Sequence, residues 1–187
     1  MPISPRTLTL PNLITIARFL MVPAIVLAML EGEMAFAFFL FIAAGASDAV
    51  DGFIARHFGQ TSELGAYLDP VADKLLLVSV FVMLAILGAI PDWLVVLAVS
   101  RDILIVGAVL VSHLLDKPVT VRPLMVSKAT TLAQILLAIA VLGGLAGFPW
   151  LATQAFWLVP LAALLTAASA AAYLVTWLRH MANGRPA

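Results

Sequence analysis

The sequence contains no cysteine among its 187 residues. This absence excludes disulfides, thiolate metal ligands and a cysteine nucleophile. Charge is also scarce, because Asp, Glu, Lys and Arg make up only 11% of the chain and ten basic residues balance ten acidic ones. Without a basic surplus, the chain lacks the electrostatic signature of a nucleic-acid-binding protein. Any catalysis must therefore use carboxylates, hydroxyls, histidine or a bound metal.

Apolar residues, in contrast, make up 64% of the chain, and its mean hydropathy is +1.13. A soluble globular domain is only about half apolar, so this composition is that of an integral membrane protein. A membrane-spanning helix needs about 20 mostly apolar residues. Six such runs cover 13–30, 34–58, 68–90, 93–115, 128–147 and 151–181. The connections are too short for a soluble domain, so we predict an all-α fold with six transmembrane helices, in one domain over residues 1–187.

Positively charged residues indicate the orientation, because Lys and Arg in short connections stay on the cytoplasmic side. The two terminal segments and the fourth connection contain them, namely Arg6, Lys117, Arg122, Arg179 and Arg185. The first, third and fifth connections contain neither Lys nor Arg. The sequence therefore predicts both termini in the cytoplasm, and we expect the inner membrane of a bacterium. The last run is rich in alanine, which predicts close helix packing within the chain, with a homodimer face as the alternative.

Four aspartates lie near the predicted cytoplasmic ends of two consecutive helices. Asp48 and Asp51 are three residues apart in the second run, and Asp69 and Asp73 are four apart in the third, so each pair shares one helical face. Carboxylates at one depth in a membrane repel each other unless cations compensate them. Hard divalent cations prefer such all-oxygen ligands. The cluster predicts a pair of Mg²⁺, Mn²⁺ or Ca²⁺ ions facing the cytoplasm.

A single one of these aspartates could have a purely structural role. Asp69 precedes Pro70 and would cap the N-terminus of the third helix, while Asp73 would pair with Lys74 or Arg56. Four aspartates in phase are not explained in this way, because a cap requires only one of them.

Small residues and one arginine accompany the aspartates. Gly52 and Ala55 share the carboxylate side of the second helix and leave room for a flat group or a phosphate chain. Arg56 can bind phosphate oxygens through two parallel N–H donors. Gly65 suits a close approach or a turn before the third helix. With two divalent cations, these residues suggest a pyrophosphate site in which metals neutralise the transferring and leaving oxygens.

The segment 48–73 resembles the defining motif of the CDP-alcohol phosphatidyltransferases, D-x-x-D-G-x-x-A-R followed after eight residues by G-x-x-x-D-x-x-x-D. All eight fixed identities of that motif occur at its spacing. The segment 11–18 resembles the entry to the first helix of this family, and 68–74 is similar to its bacterial and mitochondrial phospholipid branch. The resemblance covers most of the chain and includes the six-helix layout.

The resemblance implies an enzyme of phospholipid biosynthesis that transfers a phosphatidyl group from CDP-diacylglycerol to a glycerol-type alcohol and releases CMP. It implies that two divalent cations, Mg²⁺ or Mn²⁺, are bound by all four aspartates, and that Asp73 also takes the proton from the acceptor hydroxyl. It further implies that Gly52, Ala55 and Gly65 line the cytidine pocket and that Arg56 contacts the donor phosphates.

The motif does not specify the acceptor. Basic residues that could bind an acceptor phosphate are Arg18, Arg101, Arg122 and Lys128. For Arg101 the alternative is an ion pair with Asp102 or with a motif carboxylate, and for Arg122 and Lys128 it is topology alone.

Two branches of the family fit this sequence. Phosphatidylglycerophosphate synthases, which use glycerol 3-phosphate, typically have Arg-Glu and a second Arg in the fourth helix. This chain has Arg101-Asp102 there without a second Arg, and Ser127-Lys128 at the head of the fifth helix. It is more similar in these features to the CMP-forming cardiolipin synthases, which use phosphatidylglycerol.

A cation transporter is the alternative function from another class, because transporters also have carboxylates inside their membrane helices. The clustering of the charges at one membrane face, rather than at the midplane, favours the enzyme.

Overall fold

The computed structural model describes the backbone of residues 10–58, 63–115 and 125–182, and the side chains of 14–47, 68–115 and 125–182. The described chain is all-helical, as predicted. Its six helices are α1 (Leu10–Leu30), α2 (Met34–Phe58), α3 (Glu63–Ile86), α4 (Asp92–Leu114), α5 (Met125–Leu145) and α6 (Pro149–Ala182).

The prediction of 68–90 for the third helix is wrong at both ends. The helix begins earlier, at Glu63, because helix-forming residues precede the apolar run. It ends at Ile86 because Gly88 adopts a left-handed conformation with φ of 69°, and the Ala89 N–H bonds back to the Leu84 carbonyl.

The earlier start of α3 corrects two further expectations. Gly65 lies inside α3 rather than in a turn before it, and its role in a close approach stays a prediction. Asp69 and Pro70 also lie inside the helix, almost two turns from its start, so Asp69 does not cap the N-terminus. The backbone of α3 therefore leaves Asp69 available for contacts with other helices.

Three helices are long and apolar enough to cross a bilayer, namely α4, α5 and α6. The described residues of the first two helices add the shorter apolar segments Ile14–Leu30 and Met34–Ser47. In α3, the charged residues Asp69, Asp73 and Lys74 interrupt the apolar sequence. The part of α3 that is free of charge after them is short, covering 75–86. The chain is therefore a membrane protein, and the charged residues of α3 all precede Leu75.

Among the described residues, α5 and α6 pack closely against each other. A Cβ atom added to Gly144 would lie only 2.7 Å from the Cβ of Ala152, so the two helices approach too closely there for a larger residue. Gly147, with φ of 96°, makes the turn between them. In the alanine-rich helix Ala162 is fully buried, whereas Ala167, Ala168 and Ala171 are exposed, so only part of the stretch packs within the chain and the homodimer face stays a prediction.

Buried polar residues gather toward one end of the bundle. That end contains the first halves of α1, α3 and α5, the middle and second half of α4 and the second half of α6, and its buried polar residues include Thr15, Arg18, Arg101, Ser112, Thr130 and Ser169. Large apolar residues, including Ile25, Met29, Leu84, Leu94 and Leu142, fill the opposite end. The fold therefore brings its buried hydrogen-bonding groups to the end of the bundle where Asp69 and Asp73 lie.

Candidate active site

Two residues of α1 hold the two described motif aspartates of α3. The Thr15 hydroxyl donates a hydrogen bond to Oδ1 of Asp69. Nη1 of Arg18 donates to Oδ1 of Asp73 at 2.7 Å, as part of an ion pair. The donors are three residues apart on α1 and the acceptors four apart on α3, so both contacts form where the two helices pack side by side.

A cavity of about 680 Å³ opens beside Asp73, between α2, α3 and α5. We call it the carboxylate cavity. Its walls are mainly apolar and include Phe41, Ile42, Leu76, Leu77, Ile135 and Ile139. Among the described residues that line it, the charged ones are Asp73 and Lys74. The carboxylate cavity therefore has an apolar body with two side chains of opposite charge at its edge, and these pair with other residues, Asp73 with Arg18 and Lys74 with Asp102.

A second cavity of about 580 Å³ lies between α3, α4, α5 and α6, and we call it the cation cavity. Lys74 lines both cavities. Its Nζ lies 2.6 Å from Oδ2 of Asp102, and Nη1 of Arg101 lies 2.8 Å from Oδ1 of the same carboxylate. Asp102 thus bridges two cations, and the three groups carry one net positive charge.

Arg101 is the centre of a larger network. Its guanidinium donates to the hydroxyls of Ser127 on α5 and Ser169 on α6. It also lies 5.7 Å from the centre of the Tyr173 ring, within cation–π range. The residue is 5% exposed. Arg101 therefore ties α4 to α5 and α6, and the ion pair with Asp102 that the sequence offered as its alternative role is present.

The sequence-predicted site residues fall into two groups. Asp69, Asp73, Arg18, Arg101 and Lys128 lie in the part of the chain whose side chains are described. Those outside it are Asp48, Asp51, Gly52, Ala55, Arg56, Gly65 and Arg122. The predicted joining of the two aspartate pairs across α2 and α3 stays a prediction.

The described basic residues differ in their surroundings. Arg18 and Arg101 are buried and bonded to acidic groups. Lys128 is exposed at the start of α5 and makes no ion pair or hydrogen bond with another described side chain. Binding of an acceptor phosphate by any of the three stays a prediction.

Sequence reasoning missed three residues of this site. Thr15 and Lys74 were not singled out as functional residues, and Asp102 was considered only as a neighbour of Arg101. The three-residue spacing of Thr15 and Arg18 and the position of Lys74 directly after Asp73 were visible signals. Neither signal identifies the helix on which the partner lies, so the contacts themselves required the structure.

Asp69 and Asp73 provide the type of ligand that a hard cation prefers, but two carboxylates alone do not complete a metal site. Within the residues whose side chains are described, no group of three or more metal-ligating side chains occurs. Asp69 and Asp73 supply carboxylate oxygens one turn apart on α3, which is the ligand type that Mg²⁺ and Mn²⁺ prefer. A two-metal site therefore depends on Asp48 and Asp51 as additional ligands.

The sequence is similar to several curated proteins of phospholipid synthesis. It is 37% identical over 112 residues to a probable CMP-forming cardiolipin synthase of Drosophila melanogaster, covering 59% of this chain and 35% of that protein. It is 32% identical over 148 residues to the CMP-forming cardiolipin synthase of Rattus norvegicus, covering 71% of this chain and 49% of the relative. A probable phosphatidylglycerophosphate synthase of Mycobacterium tuberculosis is 36% identical over 104 residues, covering 52% of this chain and 50% of that protein.

The matched part of the chain thus spans half or less of the length of these relatives. The match to the family itself is more extensive, since residues 8–178 fit the CDP-alcohol phosphatidyltransferase family. This range contains both motif halves, the α1 residues that hold Asp69 and Asp73, and both cavities. The chain is therefore a member of the CDP-alcohol phosphatidyltransferase family.

Proposed function

We propose that this protein transfers the phosphatidyl group of CDP-diacylglycerol to an acceptor hydroxyl and releases CMP. Besides family membership, the observation that carries the proposal is the meeting of two apolar cavities at consecutive residues of α3, Asp73 and Lys74. A reaction between two lipids needs two apolar sites that meet at a polar centre. Both volumes lie within the range of about 300–1,000 Å³ typical of ligand pockets.

We propose the carboxylate cavity for the donor lipid. Its apolar walls suit acyl chains, and Asp73 at its edge lies where the donor head group would reach the motif aspartates. Asp48, Asp51, Asp69 and Asp73 would hold two divalent cations. When bound, these ions would neutralise the pyrophosphate and the departing CMP.

Asp73 is the proposed general base. Its side chain is 46% exposed and borders the cavity, so an acceptor hydroxyl can approach it. The carboxylate would accept the hydroxyl proton as the oxygen attacks the phosphorus of the diacylglycerol phosphate, and the bond from that phosphorus to the CMP oxygen would break. Direct transfer is favoured because the chain has no cysteine nucleophile.

We propose phosphatidylglycerol as the acceptor, bound in the cation cavity. The single positive net charge of Lys74, Arg101 and Asp102 matches the single negative charge of a phosphodiester. Glycerol 3-phosphate is the alternative acceptor, but a phosphomonoester carries about −1.5 to −2 charges at pH 7 and would require more cations.

The α4 wall of the cation cavity supports a lipid acceptor as well. Ile103, Val106 and Leu110 line this cavity and are each at least 59% exposed on the described bundle. In a bilayer, such a wall faces the acyl chains. A lipid could therefore enter sideways between the helices, whereas a small soluble dianion gains nothing from an apolar entrance.

A parallel acceptor assay tests the proposed function. Purified protein in detergent is given CDP-diacylglycerol, Mn²⁺ and one of four acceptors: phosphatidylglycerol, glycerol 3-phosphate, serine or inositol. We expect CMP release and cardiolipin with phosphatidylglycerol and little product with the others. If glycerol 3-phosphate yields phosphatidylglycerophosphate and phosphatidylglycerol yields nothing, the proposed acceptor is wrong. Absence of CMP release with every acceptor would contradict the enzymatic proposal and favour a transporter.

We further propose six membrane crossings with both termini and the site on the cytoplasmic side of a bacterial inner membrane. The proposal is supported by the basic residues of the terminal segments and the fourth connection. Reporters fused after Arg185 or within 116–123 should read cytoplasmic, and one within 31–33 should read external. An external C-terminus would contradict the six-crossing topology.

A further inference from the structure

The contacts of Thr15 differ from those of the other buried threonines. Thr130 and Thr166 are also fully buried, and their hydroxyls donate to backbone carbonyls four residues earlier, those of Val126 and Ala162. This is the usual way for a threonine inside a helix to satisfy its hydroxyl. Thr130 also donates to the Leu165 carbonyl of α6. Thr15 differs in its acceptor, because it donates to a side-chain carboxylate, that of Asp69 on α3. Its hydroxyl is therefore used to hold a carboxylate of another helix.

Arg18, like Thr15, is fully buried and bonds to a motif aspartate of α3, but it carries a full positive charge. It is the largest of the fully buried side chains, with 0% exposure, in a helix that is otherwise strongly apolar. A charged group in such a position is costly unless it is paired, and it usually marks a functional site. The partner is Asp73, whose own side chain is 46% exposed toward the cavity side of α3. The buried cation thus holds an accessible carboxylate.

We propose that Thr15 and Arg18 are positioning residues that fix the orientation of Asp69 and Asp73. A carboxylate rotates readily about its terminal torsion, and one hydrogen bond from a buried, immobile donor restricts that rotation. Oriented carboxylates bind cations more tightly, and loss of such supporting hydrogen bonds typically costs about 10- to 100-fold in metal affinity or activity. This inference rests on the proposed function, and it gives Arg18 a different role from acceptor binding.

The Thr15 contact is tested by removing only the hydroxyl from the full-length protein. Thr15→Val preserves shape, Thr15→Ser retains the donor, and Thr130→Val is the matched control, because Thr130 is equally buried and bonds only to carbonyls. Mn²⁺ binding is measured by electron paramagnetic resonance, together with kcat. We expect the Mn²⁺ dissociation constant to rise about 10-fold in Thr15→Val, and kcat to fall by a similar factor. Thr15→Ser and Thr130→Val should stay within about twofold of wild type.

The Arg18 contact is tested by separating kcat from KM. We expect Arg18→Gln to lower kcat by about 100-fold while the KM values for donor and acceptor change less than about threefold, because Arg18 acts through Asp73. Arg18→Lys, which retains the charge, should recover part of the lost kcat. If Arg18→Gln instead raises the acceptor KM more than 10-fold with kcat unchanged, Arg18 binds the acceptor and the positioning role is wrong.

The Mn²⁺ measurement distinguishes failure of this inference from failure of the proposed function, because it does not require turnover. Wild-type protein that binds Mn²⁺ but releases no CMP would contradict the proposed reaction, and the Thr15 variants would still report on positioning. An unchanged Mn²⁺ dissociation constant in Thr15→Val, or no Mn²⁺ binding by the wild type, would overturn the inference. Thermal unfolding of each variant identifies one that does not fold. If Thr15→Val does not fold, the kcat and KM values of Arg18→Gln and Arg18→Lys decide.

Discussion

The carboxylate cavity and the cation cavity differ in charge, although both have mainly apolar walls. The first presents Asp73 and Lys74, whose charges cancel, whereas the second contains Lys74, Arg101 and Asp102 with one net positive charge. They are adjacent because Asp73 and Lys74 are consecutive residues of α3 and Lys74 lines both. A single helix can therefore serve two lipid sites of different charge and bring their head groups together, with the acyl chains remaining in apolar surroundings.

The largest effect that we expect is that of removing divalent cations from the motif aspartates beside the carboxylate cavity. Removal of divalent cations with excess EDTA should abolish CMP release, because clustered carboxylates without cations repel each other and cannot hold the donor pyrophosphate. Addition of Mg²⁺ or Mn²⁺ in excess over the chelator should restore the activity. Full turnover in EDTA would contradict the two-metal proposal.

Substitution of Asp73 should have the next largest effect. General bases typically contribute about 10²- to 10⁴-fold, so we expect Asp73→Asn to lower kcat about 1,000-fold while some binding of CDP-diacylglycerol persists. Asp48→Asn and Asp51→Asn should weaken both donor and Mn²⁺ binding. The control is Asp92→Asn, an exposed aspartate at the start of α4, which should behave as wild type. Equal donor affinity in the three motif variants would contradict this division of roles.

The contrast between the cavities also shows what the sequence can predict. Long apolar runs predict all six helices, because hydrophobic length determines where a helix can cross a bilayer. They misplace the ends of α3, because residues 63–67 are helical without being part of an apolar run and because the conformation of Gly88 ends the helix. Helical spacing likewise predicts that Asp69 and Asp73 share a face.

The spacing of Asp69 and Asp73 does not predict which helix packs against the face of α3 on which they lie. The contacts of Asp69 with Thr15 and of Asp73 with Arg18 join residues 54 and 55 positions apart. The pair of Lys74 with Asp102 is equally unpredictable, whereas the pair of Arg101 with Asp102 joins sequence neighbours and was considered from the sequence. Even a local ion pair is not certain from the sequence, because the neighbours Asp73 and Lys74, which were also expected to pair, bond to Arg18 and Asp102.

Filling each cavity separately should sharpen the assignment of the two lipids. Ile135→Trp adds bulk to the carboxylate cavity and Val106→Trp adds bulk to the cation cavity. An overfilled site loses about 1–3 kcal/mol, equivalent to about 5- to 150-fold in KM. We expect Ile135→Trp to raise the donor KM and Val106→Trp to raise the acceptor KM, each with a smaller effect on the other. Steady-state kinetics with both lipids varied would show the reverse pattern if the assignment is inverted.

The smallest expected effect concerns acceptor choice. Asp102→Asn removes the acidic partner of Lys74 and Arg101 and so raises the net charge of the cation cavity from one to two. We expect the ratio of kcat/KM for glycerol 3-phosphate to that for phosphatidylglycerol to rise about fivefold, or ~1 kcal/mol. An unchanged ratio would show that this network does not select the acceptor.

Transfer of the labelled phosphate tests the central claim most directly. CDP-diacylglycerol carrying ³²P in the phosphate next to diacylglycerol is incubated with the purified protein, Mn²⁺ and phosphatidylglycerol, and the products are separated by thin-layer chromatography. The two-cavity account predicts that the label moves into cardiolipin while an equal amount of unlabelled CMP is released. Label that appears in the released nucleotide, or that stays in CDP-diacylglycerol while phosphatidylglycerol is present, would contradict it.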